Sequence, residues 1–255
     1  MIANYHTHTP RCRHAEGNEE EYIRTAIELG MQELGFSDHA PQPFPGDYYS
    51  IMRMYPEQLE EYTQTLRRLQ AKYADQIKIH IGLEVEYYPA LFEELLAWVR
   101  QTGVEYMILG QHWPGNEEGE RHVYRPFADA ADLARYVDQT IEAMYTGLFT
   151  YFAHPDLPQF EGDARVYDRQ MRRLIRAAKR SGTPLEINLH GYRCGCTYPN
   201  RRFWELVAQE DAPVVLGRDA HSPEELRDDA TEQVHLELVQ SLGLSLLDRV
   251  PLRKP

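Results

Sequence analysis

The chain has few cysteines, few basic residues and no long apolar run. Its three cysteines, Cys12, Cys194 and Cys196, are an odd number that supports no disulfide framework. That usage fits a reducing cytosol. No stretch approaches the roughly 18–20 apolar residues of a membrane span. Residues 1–6 offer neither the basic nor the apolar region of a signal peptide. A cytoplasmic protein with no membrane partner is expected. Lys and Arg number 27 against 40 Asp and Glu, for a formal charge of −13. Such a chain repels polyanions at long range, and without a basic stripe it is not expected to bind long nucleic acid. Internal repeats, low-complexity tracts and Gly/Ser/Pro linkers are also missing, so residues 1–255 are read as one domain. Small anionic substrates stay open, because bound metal ions reverse the local field. Oligomeric state is not legible at this level.

What the chain does have is 42% hydrophobic residues arranged in a recurring unit. A short apolar strand-like run is followed by a polar segment and then by an amphipathic helix. Seven strands are predicted, at 2–6, 32–37, 77–85, 106–111, 148–153, 185–189 and 214–217. Helices are predicted at 18–30, 56–74, 89–101, 129–144, 167–180, 201–209 and about 228–242. The punctuation agrees. Asn18 precedes Glu19, Glu20 and Glu21, a capping residue before an acidic first turn. Pro56 and Pro89 sit where a first helical turn tolerates proline. Gly30, Gly103, Gly147 and Gly182 follow helical patterns that a left-handed residue would end. Alternating strands and helices imply a mostly parallel sheet, and seven such units imply an α/β chain closed, or nearly closed, into a barrel.

In such barrels the active site lies at the carboxyl ends of the strands. His6 and His8 fall at the end of the first predicted strand, Asp38 and His39 at the second, and Glu84 and Glu86 at the third. His112 and His154 follow the fourth and fifth, and Asp219 and His221 follow the seventh. Any one of these is weak evidence, since a single histidine is more often a surface or hydrogen-bonded residue. The pair His6-Thr7-His8 is better, because side chains two apart share a face of an extended segment. Imidazole suits zinc, iron, nickel or copper. The conjunction of such residues at the same end of six strands carries the argument.

Taken together, His6-Thr7-His8, His14, Ser37-Asp38-His39, Gly82-Leu83-Glu84, His112, His154 and Asp219-Ala220-His221 resemble the motif series of the polymerase-and-histidinol-phosphatase (PHP) superfamily. His14-Ala15-Glu16-Gly17, Leu185-Glu186-Ile187-Asn188, Gly191-Tyr192-Arg193 and Tyr198-Pro199 are similar to its histidinol-phosphatase type. The resemblance implies a distorted (β/α)7 barrel and up to three divalent ions, zinc, manganese or iron. It would have His6, His8, Glu84 and Asp219 hold one ion. Glu84 would bridge to a second ion held by His112 and His154, and His14, His39 and His221 would hold a third. Two segments depart from the pattern. The family often reads His-Phe-Asp where this chain has His154-Pro155-Asp156, and Cys194-Gly195-Cys196 is unusual for the subgroup.

The chemistry implied is phosphomonoester hydrolysis, with L-histidinol phosphate as the first substrate to test. Clustered divalent ions lower the pKa of a bound water, giving a metal-activated hydroxide, and clamp the attacking and leaving oxygens. Glu84, Asp219 and His221 are the expected catalytic groups, with His221 or a metal-held water as candidate general acid. Arg193 is the expected phosphate clamp, since a guanidinium meets phosphate oxygens with paired hydrogen bonds. Its bland alternative is a solvated loop arginine; Arg165 is a weaker second candidate. His190 and Asn188, near the mouth, are expected to contact substrate. His122 lies in a polar loop that could act as a lid. Tyr48, Tyr49, Trp113 and Tyr192 are read as mouth aromatics, His80 as structural and His235 as surface. Three other functions compete: a phosphodiesterase or nuclease on short oligonucleotides, a non-catalytic metal-binding regulatory module, and an amidohydrolase. No ligand has been lost, which argues against the module. No central bridging lysine is found, which argues against the amidohydrolase.

Overall fold

The computed structural model describes Met1–Pro255. Eight parallel strands lie in sequence order: β1 (Ala3–Asn4), β2 (Glu33–Phe36), β3 (Lys78–Val85), β4 (Tyr106–Leu109), β5 (Phe149–Phe152), β6 (Leu185–Asn188), β7 (Pro213–Gly217) and β8 (Ser245–Leu247). Each of the first seven leads into helical segments: α1 (Glu19–Glu28), α2 (Leu59–Lys72), α3 (Phe92–Thr102), α4 (Ala130–Tyr145), α5 (Ala164–Ser181), α6 (Leu189–Arg193) with α7 (Arg201–Glu210), and α8 (Asp229–Leu242). The main core fills the layer between these helices and the sheet. A second core fills the barrel interior, where Tyr5, Tyr106, Ile108, Tyr151 and Val215 meet. There the Tyr106 hydroxyl donates across the barrel to the Tyr5 carbonyl at 2.7 Å.

The sheet curls until its first and seventh strands meet beyond their carboxyl ends. The seam is one bridge, Thr7 with Ala220. The His8 amide donates to the Ala220 carbonyl at 2.9 Å, and the Ala220 amide to that of His6 at 3.3 Å. Asn4 fills the gap below, its Oδ1 accepting from the Arg218 amide at 2.9 Å. Closure therefore happens at the level of the His-x-His and Asp-x-His segments and draws them together. The eighth strand pairs with the opening half of β7, Pro213 to Ser245 through Val215 to Leu247. It was not expected, because three residues carry no readable period. The chain then passes under the barrel. Val250 plugs the interior core, and Arg253 donates to the carbonyls of Phe149, Ser181 and Gly182.

Local rules explain most boundaries. Asn18 and Glu21 form a reciprocal capping box at α1. Asp129 and Asp163 cap α4 and α5, so α5 begins three residues before the predicted start. The predicted helix at 56–74 divides into a 3-10 turn, Pro56–Gln58, and α2. His235 corrects the surface expectation: it is fully buried, its Nδ1 donating to the Thr231 carbonyl at 2.7 Å. The face of α8 that carries it packs inward against α6 and α7.

Candidate metal centre and active site

Parallel strands in register place their carboxyl ends at one level, and that level is crowded with imidazoles and carboxylates. Glu84 sits at its centre. Its Oε2 is 2.9 Å from Nδ1 of His39 and 3.6 Å from Nε2 of both His6 and His8. Its Oε1 is 2.7 Å from Nε2 of His154 and 3.9 Å from Nε2 of His112. One carboxylate thus faces two different sets of nitrogens. Asp219 completes the first set, with Oδ1 3.0 Å from Nε2 of His8 and 3.5 Å from that of His6. His14, His39 and His221 bring their nitrogens together as a further set, and His39 also groups with His8 and Glu84. Two of these residues, His154 (φ 34°) and Asp219 (φ 47°), hold left-handed backbone. Strain of that kind persists where surrounding structure imposes it, often at functional sites.

A second layer orients the rings. Nδ1 of His6 donates to Glu186 at 2.8 Å, Nδ1 of His112 to Glu86 at 2.6 Å, and Nδ1 of His8 faces Asp38 at 3.4 Å. Nδ1 of His14 donates to the Cys12 carbonyl at 2.8 Å. Carboxylates and carbonyls only accept, so each of these rings keeps a proton on Nδ1 and turns Nε2 into the cluster, free to ligate a cation once it gives up any proton of its own. Nε2 of His6 and His8, Nδ1 of His154 and Oδ1 of Asp219 are buried without any hydrogen-bond partner. Buried polar atoms rarely go unsatisfied. The orphaned Nε2 atoms of His6 and His8, beside Glu84 and Asp219, are the donor set a divalent cation takes up, and they fit zinc, manganese or iron. Glycines make room for this layer. A Cβ on Gly110, just past β4, would lie 1.9 Å from Oε1 of Glu84, and one on Gly217, ending β7, 1.8 Å from Oε1 of Glu186.

The electrostatics agree with a cation site. Asp38, Glu84, Glu86, Glu186 and Asp219 are all buried here. Burial alone would raise the Glu84 and Asp219 pKa values. The imidazoles outweigh it, chiefly His39 for Glu84 and His6 for Asp219, and hold both well below the usual carboxylate range. Burial would lower the pKa of His6, but Asp219 and Glu186 push it up to about 10. Burial and neighbouring positive charge push His39, His14 and His221 down.

These groups open into a cavity of about 220 Å³. Its walls include His122, Tyr124, Leu157, His190, Cys196 and Tyr198, and no Lys or Arg. Of the expected substrate contacts, only His190 lines it. Asn188 is buried behind, donating to Glu186 at 2.8 Å and Asp219 at 3.0 Å and accepting the His190 amide. Arg193 is turned away, donating to the carbonyls of Arg218 at 2.9 Å and Asp219 at 3.2 Å and facing Glu225 and Asp228. Arg165 lies exposed on α5. Tyr48, Tyr49, Trp113 and Tyr192 do not line the cavity; Tyr124 and Tyr198 do. His122 does, beside His112 and Trp113, and burial drives its pKa down to about 2. Arg193→Ala is therefore expected to weaken metal binding about tenfold by freeing the Asp219 backbone, with KM little changed. Titration of metal affinity beside steady-state kinetics checks this; a raised KM with unchanged metal affinity would restore the clamp role.

A network not legible beforehand lies behind His112. Arg53 is wholly buried, bonding Glu86 at 2.9 Å, Glu117, and the Ala40 carbonyl at 3.1 Å. Tyr88 donates to Glu86, and Tyr48 to Glu117 at 3.1 Å. Arg53 thus ties the loop after β2 to the loop after β4, which carries His122 and Tyr124. Arg53→Met leaves two buried carboxylates without their cation, and an expected loss of about 3–5 kcal/mol follows. Urea unfolding measures it, and adding Glu117→Gln should recover part of the loss. Nothing flanking Arg53 sets it apart in the sequence. For Glu186 a signal existed, a charged residue inside an apolar strand.

The geometry can be set beside known proteins. The chain is 29% identical over 231 residues to the "Probable histidinol-phosphatase" of Deinococcus radiodurans, covering 88% of each chain. It is 28% identical to that of Schizosaccharomyces pombe, over 89% of this chain and 82% of the relative. Among solved structures it is similar to histidinol phosphate phosphatase from Lactococcus lactis complexed with zinc, L-histidinol and phosphate. That match has a TM-score of 0.73 at 21% identity and covers 96% and 95% of the two chains. A family model, the PHP domain, matches residues 4–190. With that match spanning most of the chain and a parallel barrel carrying its ligand-type residues at the strand ends, the protein belongs to the PHP domain family.

Proposed function

We propose that the protein is a metal-dependent phosphomonoesterase, with L-histidinol phosphate as the substrate to test first. The observation that carries this is Glu84, whose two oxygens face separate sets of imidazoles. The reading assigns His6, His8, Glu84 and Asp219 to one divalent ion, Glu84, His112 and His154 to a second, and His14, His39 and His221 to a third. Such ions, when bound, supply an activated water and offset the charge of the phosphoryl group. The chain's own contribution is orientation. Glu186, Glu86 and Asp38 set the imidazole tautomers, and Asn188 and Arg193 steady Asp219. His122, kept neutral with Nδ1 accepting the Tyr124 amide at 3.2 Å, can donate one hydrogen bond from Nε2 to a leaving group without adding charge. Tyr124, Tyr198 and Leu157 give that group a partly apolar, aromatic wall. The histidinol-phosphatase relatives support the substrate choice.

An oligonucleotide is disfavoured, because no basic side chain lines the cavity to follow a phosphate backbone. A small phosphorylated molecule is the partner in this reading. A cytoplasmic location suits its three free thiols. The test is phosphate release from a phosphomonoester panel that includes L-histidinol phosphate, with manganese, zinc or iron supplied. A short oligonucleotide serves as the diester control. Release from no monoester under any of the three metals would end this reading.

A further inference from the structure

The loop after β6 carries three ligand-type side chains, His190, Cys194 and Cys196, that none of the ions assigned above uses. His190 and Cys194 stand four residues apart, at the second position and the C-cap of α6, and so share one helical face. Sγ of Cys194 is 3.3 Å from Nε2 of His190. With bonds of about 2.3 Å to sulfur and about 2.0–2.1 Å to nitrogen, two ligands at the tetrahedral angle of one zinc ion lie about 3.5 Å apart. The contact is already within a few tenths of an ångström of that spacing. Gly195, with φ +67°, turns the chain, and the Cys196 amide returns to the Gly191 carbonyl at 2.7 Å. Cys196 is thereby kept beside the helix end, where it lines the same cavity as His190. Both thiols are free and exposed, so an ion reaches them from solvent.

We propose that His190, Cys194 and Cys196 form a separate site for one thiophilic divalent cation of the zinc group, at the rim of the cavity. Two thiolates with one imidazole are a softer set than the His and carboxylate cluster below, so the two sites sort ions by class. The fourth position stays open to water or a substrate group. Because His190 and Cys196 also wall the cavity, occupancy narrows the path of the leaving group. The ordinary alternative for the same contact is an S–H···N hydrogen bond, and the experiment separates the two.

Manganese-loaded protein, kept under a non-thiol reductant, is titrated with Cd²⁺ while the ultraviolet thiolate-to-cadmium charge-transfer band is followed. Cadmium that displaces the weaker-binding manganese from the His and carboxylate cluster gives no such band, so the titration runs past those equivalents and a band reports sulfur ligation only. One further equivalent is expected to raise the band in the wild type and in Cys12→Ser. Cys194→Ser should weaken binding at least about tenfold, since losing even a partner that only orients a ligand typically costs that much. Cys12, buried close to His8 and His221, is the competing thiol. No band, or a band kept in Cys194→Ser and lost in Cys12→Ser, overturns the proposal. The readout needs no turnover, so a failure of the phosphatase reading leaves this test intact. Where turnover is measurable, Cys194→Ser keeps the basal rate and loses the cadmium-induced rise in KM.

Discussion

Replacing Glu84 with Gln is expected to lower phosphate release by roughly 10³-fold, or about 4 kcal/mol of barrier, and to reduce bound metal on the same preparation. The substitution keeps volume, which matters because Glu84 is packed against Gly110 with no spare space. It removes the one charge that both nitrogen sets share, and it puts an amide donor where one set needs an acceptor. His39, His154, His6 and His8 all lose their common counter-charge. Steady-state kinetics with metal analysis measures both effects. Wild-type activity, or unchanged metal stoichiometry, would remove Glu84 from the centre of the mechanism.

The second large effect is chelation. An ion present at 1,000 times its dissociation constant contributes about 4 kcal/mol to stability. In a chain of this size each kcal/mol corresponds to about 2–4 °C in Tm, so removing one ion should cost roughly 8–16 °C. The loss should depend on pH, and its direction follows from His6. Its folded pKa, up at about 10, lies above the unfolded value near 6.5. In metal-free protein this group therefore contributes stability that is fully present below about pH 6.5 and is lost as pH rises through about 10. Metal binding runs the other way, because its ligands must be deprotonated. The Tm difference between metal-loaded and chelated protein should widen from about pH 6 to about pH 9. Melting curves across that range test it; a difference that stays flat or narrows would mean the imidazoles are not exchanging protons for cations.

Much of this was open to inspection in the chain itself. The alternation of β2 to β7 with helices follows from apolar runs, caps and glycine stops, all local signals. So does the list of ligand-type residues, because strand ends are readable and side chains there all face one rim. Expectation and structure part where a side chain's direction depends on a distant partner. Arg193 reads as a clamp from its loop position, yet the carbonyls of Arg218 and Asp219 take up its donors. His235 reads as surface until α6 and α7 cover that face of α8. Arg53 has no motif around it, since Glu86 and Glu117 are 33 and 64 residues away along the chain.

The sequence alone determined which residue types stand at which strand ends, and hence that a cation site of imidazole and carboxylate would form. That follows because strand and helix periods are local and a parallel barrel aligns its ends. Tertiary structure decided which of those residues meet and how each ring is turned. The single Thr7–Ala220 seam joins the first and last motifs. Glu186, Glu86 and Asp38 set how the rings of His6, His112 and His8 are turned. Hydrogen bonds and charge act over a few ångströms of space, whatever the number of residues between, and a linear chain does not display those distances.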